Sequence, residues 1–254
     1  MTYVLVHGGG MTSGFWDRLL PELDGPALAV DLPGRNGKPG DLATLTVDDE
    51  VASVVADIEG AGIDDEVVLV AHSSGGLVVP GVVAALAARA AESGGGGRVT
   101  QVVLNAASVP PEGGCGLDCM QERHREGLQI AFEMAERDGT PMTTLGPPDD
   151  PESFRRTYGG DPLDDETLAF VVDPARCVQD TVNHYRQPVR WSQAGDVPVT
   201  YVVNERDRPI PVELQEEMLG RLPHPPTVVR LDTGHVPAIT DPKLFARVLA
   251  EVSS

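Results

Sequence analysis

Large rings are scarce in this chain: aromatic residues make up 4% of its 254 residues, so a core has to be assembled from Val, Leu and Ala. A sheet buried on both faces suits that composition. Cysteine is scarcer still. Cys115, Cys119 and Cys177 cannot all pair within one chain, and no charged, apolar, small-residue leader precedes the first apolar run, which together point to the cytoplasm. No uninterrupted apolar run reaches the roughly 18 residues needed to span a bilayer, so no membrane partner is expected. Basic side chains are in deficit as well, with 19 Lys plus Arg against 39 Asp plus Glu and a net charge of −20. Such a surface repels polyphosphate, which excludes nucleic acid as a partner and disfavours anionic membranes.

What is present fits a small-molecule enzyme. Glycine (28) and proline (22) supply many loops, yet 41% of residues are apolar and fall in recurring segments, which excludes wholesale disorder. The length fits one large α/β domain or two small ones. Short β-branched runs bounded by Gly, Pro or Asp recur at residues 3–6, 27–30, 67–70, 99–104, 199–203 and 227–231, and read as six buried strands. Helix-like stretches lie at 16–23, 47–61, 76–92 and 242–252. Strands alternating with helices predict an α/β fold with a mostly parallel six-stranded sheet covered on both faces. Residues 109–190 break that rhythm: they contain no convincing strand, but helix-like pieces at 118–137, 164–172 and 174–186. They are expected to form a helical cap inserted between the fourth and fifth strands, over a core made of residues 1–108 and 191–254. The glycine run 94–97 reads as a loop. There is no internal repeat.

The most informative segment is Val67-Val-Leu-Val-Ala-His-Ser-Ser-Gly-Gly76, a buried strand that turns sharply into an apolar helix. Ser73 stands at the turn. Ala71 two residues before it and Gly75 two after let strand and helix approach closely, which lifts the hydroxyl above the sheet. This is a nucleophile elbow, with Ala where the usual pattern has Gly. Ser74 fits the nucleophile position less well, and a bare helix cap is the bland alternative for Ser73. His72, adjacent in sequence, points its ring elsewhere and reads as structural.

Taken with Val4-Leu-Val-His-Gly-Gly-Gly10, residues 207–211 and Gly234-His235, this segment resembles the α/β-hydrolase superfamily over nearly the whole chain. His7-Gly-Gly-Gly10 followed by Gly14-Phe-Trp16 and Leu19-Leu20 resembles its branch of small lidded esterases and hydroxynitrile lyases. A serine hydroxyl needs a histidine base, held in the right tautomer by a carboxylate. His235 lies on a Gly-containing loop after the last strand, the context the superfamily's histidine occupies, whereas His124 and His184 fall in the cap, His224 in a Pro-rich loop and His7 in the opening motif. Asp207 stands where the resemblance expects the acid, after the strand 199–203, with Glu205 as its rival. The resemblance further implies that the backbone amides of Gly9 and Ser74 form an oxyanion hole, with Gly10 as an alternative to Gly9 and His7 bracing the loop.

These readings predict a cofactor-independent serine hydrolase that cleaves a small carboxylic ester, thioester or lactone through an acyl-enzyme. Two other classes stay open, because fold and triad do not decide chemistry. One is a lyase or cyclase using the same triad as acid and base, in keeping with a bacterial chain engaged in secondary metabolism. The other is a ligand receptor. No metal is expected: Cys115, Cys119, His124 and Cys177 match no standard zinc spacing. Nor is a nucleotide, since the Gly-rich opening lacks the Lys-Ser/Thr of a phosphate loop. Within the cap, Leu128, Phe132 and Ala135 share a helical face toward either the pocket or the body. Gly10, Phe132, His184, Tyr185 and Trp191 are the candidate pocket residues. The oligomeric state is not encoded in any feature of the chain.

Overall fold

In the computed structural model the first strand, β1 (Thr2–Val6), is buried at every residue and pairs in parallel with β2 (Ala27–Val30). The structure describes residues 1–93, 97–148 and 150–253. Most of the glycine run expected as a loop lies outside them. Between β1 and β2 the expected helix 16–23 is instead two single 3-10 turns, Ser13–Trp16 and Leu20–Glu22. Pro21 explains the break, since it cannot donate the backbone hydrogen bond that a continuous helix needs there. Helix α1 (Val47–Gly60) starts at a reciprocal capping box, in which the Thr46 hydroxyl accepts from the Asp49 amide and the Asp49 carboxylate accepts from the Thr46 amide. Strand β3 (Glu66–His72) follows, then α2 (Val79–Ser93) and β4 (Arg98–Asn105).

The next stretch is not wholly helical. It contains α3 (Glu122–Arg137), the two-residue strand β5 (Thr144–Leu145), α4 (Pro151–Tyr158), α5 (Asp165–Val171), β6 (Asp180–Thr181) and α6 (Asn183–Arg186). The helix expected at 174–186 is displaced by β6, which pairs antiparallel with β5. Its residues have better partners than a helix offers: the Thr181 amide donates to the Asp180 carboxylate at 2.7 Å, and the Asn183 amide to the Thr181 hydroxyl at 3.1 Å. Strand β7 (Val199–Asn204), α7 (Val212–Leu219), β8 (Thr227–Leu231), α8 (Pro237–Thr240) and α9 (Pro242–Val252) complete the chain. The chain thus has the α/β hydrolase fold, with a parallel sheet in the order β2-β1-β3-β4-β7-β8.

Alternation along each strand divides the core in two. Val4, Val6, Leu69, Ala71, Val102 and Leu104 face α1 and α2. Tyr3, Leu5, Val68, Val70 and Val103 face the other way, onto Trp16, Phe245 and Leu249. The pairings Val6 with Ala71, His72 with Asn105, and Asn204 with Leu231 bring the strand ends level. The loops after β1, β3, β7 and β8 therefore emerge together at the carboxyl edge, where sheets of this kind bind ligands.

Candidate active site

Ser73 immediately follows β3 with φ of 52°, a left-handed conformation that a serine adopts only under constraint. The constraint is close packing. A Cβ at position 75 would lie 2.6 Å from the His7 carbonyl oxygen, so only glycine lets the turn sit against β1. Ser73's own carbonyl accepts from the Ser108 amide at 2.8 Å. Thus held, its Oγ lies 3.1 Å from His235 Nε2. His235 Nδ1 lies 2.6 Å from Asp207 Oδ2. A carboxylate only accepts, so Nδ1 carries the proton and Nε2 is left to accept from the Ser73 hydroxyl.

Asp207 is buried, and its second oxygen accepts the Ile210 amide at 2.8 Å. Glu205 is exposed. The neighbouring Arg206 turns outward to Asp161 and Asp232. His72 is buried at 4.6 Å from the His235 ring and stacks on Phe15. Burial, and after it the repulsion it would meet from a protonated His235, hold it well below the ordinary histidine range. His7 accepts the Leu32 amide at Nε2 and donates from Nδ1 to the Gly8 carbonyl at 2.8 Å. Burial first, then the Arg35 charge, push its pKa down to about 4, so it braces the glycine loop as a neutral ring.

Above Ser73 lies a cavity of about 360 Å³, walled on one side by Gly9, Gly10 and Ser74 and on the other by residues between β4 and β7. Gly10's amide is taken by Asp180 Oδ2 at 3.1 Å, which leaves Gly9 as the loop's candidate donor. Tyr185 lines the cavity as expected, and so does Leu128. Three of the expected pocket residues stand elsewhere. Phe132 packs with Leu117 and Val182 in a small separate apolar cluster, beneath the Arg186 guanidinium. Trp191 is part of the main core, because the 3-10 turn that carries it, Trp191–Ala194, packs against α2. His184 lies behind the wall, bonded to Glu50 and to the Ser74 carbonyl.

Other wall residues went unnoticed in the sequence. Tyr158 stacks on the His235 ring at 5.5 Å, and Pro147, Leu145, Met120 and Ile210 add apolar surface. The Asp-Pro-Glu-Ser run that starts α4 was a legible helix signal, since the Asp150 side chain caps the Ser153 amide. Cys119 and His124 line the cavity too, with burial pushing the Cys119 thiol up to about 12.

Residues 3–248 match the alpha/beta hydrolase family. Methylesterase 7 of Arabidopsis thaliana is 26% identical, with 99% of this chain and 95% of the relative aligned. Among solved structures, an extracellular alpha/beta-hydrolase from a Paenibacillus species superposes with a TM-score of 0.76 at 21% identity, covering 99% of this chain and 98% of that one. A pyrethroid hydrolase from Sphingobium faniae does so with a TM-score of 0.75 at 19% identity, covering 100% and 97%. At such identities the structural likeness speaks for the fold alone.

Proposed function

The chain belongs to the alpha/beta hydrolase family, and from that premise we propose that it is a serine esterase acting on small carboxylic esters through an acyl-enzyme. One observation carries the reading: Ser73, His235 and Asp207 form an unbroken hydrogen-bonded chain whose serine end lines a cavity. In the proposed mechanism Ser73 Oγ attacks the ester carbonyl carbon while its proton passes to His235 Nε2. Asp207 holds the ring and offsets the charge that develops on it. The carbonyl oxygen, now an anion, is stabilised by the amides of Gly9 and Ser74. His235 then protonates the leaving alkoxide as the C–O bond breaks. Water, deprotonated by the same histidine, returns the acid and the free serine.

Residues 109–190 serve in this reading as the cap that excludes bulk water and shapes the alcohol and acyl pockets. The methylesterase among the relatives supports an ester as substrate. The free cysteines support a cytoplasmic location, although the Paenibacillus neighbour is extracellular; no helix among the described residues is long and apolar enough to cross a membrane.

A nitrophenyl acetate assay with fluorophosphonate labelling tests the proposal. Wild type should turn the ester over with a burst and be labelled on Ser73, and Ser73→Ala should lose about three or more orders of magnitude in turnover while staying folded. A silent, unlabelled wild type would return the choice to a lyase, cyclase or receptor.

A further inference from the structure

Arg35, Glu50, Asp180 and His184, ionisable side chains outside the triad, are almost wholly removed from solvent: Glu50 is 0% exposed and the other three are each 1% exposed. Burying a charge is costly unless it is fully paired, so a cluster of this kind calls for a reason. The four form one connected network. Arg35 pairs with Asp180 through one guanidinium nitrogen and lies 3.4 Å from Glu50 through another. The second oxygen of Glu50 bonds His184 Nδ1. The ends of the network reach backbone. Asp180 Oδ2 accepts the Gly10 amide at 3.1 Å, and His184 Nε2 lies 2.9 Å from the Ser74 carbonyl oxygen.

The hydrogen-bond roles fix the protonation state. Glu50's carboxylate and the Ser74 carbonyl can only accept, so both His184 nitrogens must donate and the ring is an imidazolium. The network is then neutral, two positive charges against two negative. Burial disfavours the imidazolium, but the Glu50 carboxylate beside it outweighs burial and raises His184 above the ordinary histidine value. Asp180, Arg35, Glu50 and the Tyr185 hydroxyl, 3.4 Å from Asp180, surround the ring, with His7 beyond Arg35.

The two backbone anchors are not arbitrary. Each belongs to the peptide unit immediately following one of the proposed oxyanion donors, Gly9 and Ser74. Three successive glycines have no side chains of their own to lock that loop, and the Tyr185 hydroxyl fills the place where a side chain at position 9 would project. Resting on the serine esterase reading, we infer that the Arg35, Glu50, Asp180 and His184 network is the positioning device of the oxyanion hole. It ties the loop after β1 to the turn after β3 at fixed spacing. Because Asp180 and His184 come from β6 and α6, it also fastens the cap segment to the hole.

Glu50→Gln, Asp180→Asn and His184→Gln test this on the whole enzyme. Each should lower kcat for nitrophenyl acetate by roughly ten- to a hundredfold, less than the 10²–10³ expected for complete loss of a donor, with KM changed less than about threefold. A trifluoromethyl ketone, whose hemiketal places an oxyanion in the hole, should weaken in parallel with kcat, while a secondary alcohol of the same shape should bind as before. His184→Gln, whose amide can still donate to Ser74, should retain more activity than His184→Leu. In wild type, ¹⁵N NMR should find His184 protonated on both nitrogens at pH 7, a reading that needs no variant to fold. Folded variants with unchanged kcat and ketone affinity, equal weakening of ketone and alcohol, or a singly protonated His184 would each overturn the inference. If instead wild type fails on the ester and Ser73 resists labelling, it is the esterase reading that falls.

Discussion

At the scale of single residues, position relative to the sheet edge decides which carboxylate can act. Asp207 is buried with one oxygen on His235 and the other on a backbone amide, whereas Glu205, two residues earlier, faces solvent. Asp207→Asn should therefore lower turnover by about 10³ to 10⁴ through the wrong histidine tautomer. Glu205→Gln should leave it within a factor of two, and the opposite pattern in steady-state assays would move the acid. His7 supplies a pH prediction. Its folded pKa near 4 lies below the ordinary 6.5, so its contribution to stability is complete above pH 6.5 and is lost as pH falls toward 4, by at most about 1.4 kcal/mol per unit. Denaturant titrations of wild type and His7→Asn across that window should differ in slope. The three residues of the proposed triad were legible in sequence because each sits in a motif with its own local steric demand. Arg35, Glu50 and Asp180 were not, since buried ion pairing across 145 residues leaves no mark on neighbouring sequence.

At the scale of elements, helix α3 separates two tasks that its sequence merges. Leu128 and Phe132 both join the apolar cluster around Leu117 and Val182, yet half-buried Leu128 also reaches the cavity while Phe132, one turn on, is buried in the cluster. Leu128→Ala should shift kcat/KM between bulky and tiny esters severalfold, with a smaller effect on unfolding than loss of the buried Phe132 ring. Phe132→Ala should lower the unfolding temperature and leave that ratio unchanged, because it opens a void in this small apolar cluster. Equal effects on both measurements would show that the helix moves as a unit. The parallel strands were readable because burial on both faces writes continuous β-branched runs. The expected helix at 174–186 failed for the converse reason: the long-range partners of Asp180 and Thr181, namely the Gly10 amide, Arg35 and the paired strand β5, outweigh local helix preference.

At the scale of the whole molecule, the charge of −20 and the neutrality of the buried network act on different length scales. Composition alone foretells a repulsive field for anions but not where it is cancelled. Beside the cavity the Asp180 charge is met by Arg35, and that of Glu50 by Arg35 and His184, all within contact distance. What an approaching substrate senses is therefore the outer shell of acids, which is screened over about 8 Å at physiological ionic strength. The rate of encounter should then depend on salt only for charged substrates. Between roughly 10 mM and 500 mM salt, kcat/KM for an ester carrying a carboxylate should rise severalfold as the Debye length falls from about 30 Å to below 8 Å. For a neutral ester of the same size it should stay flat, and kcat should be unchanged for both because the network and triad are shielded from solvent ions. A parallel rise for the neutral ester would mean that salt acts on the fold, tightening a chain that repels itself, and not on the approach of substrate.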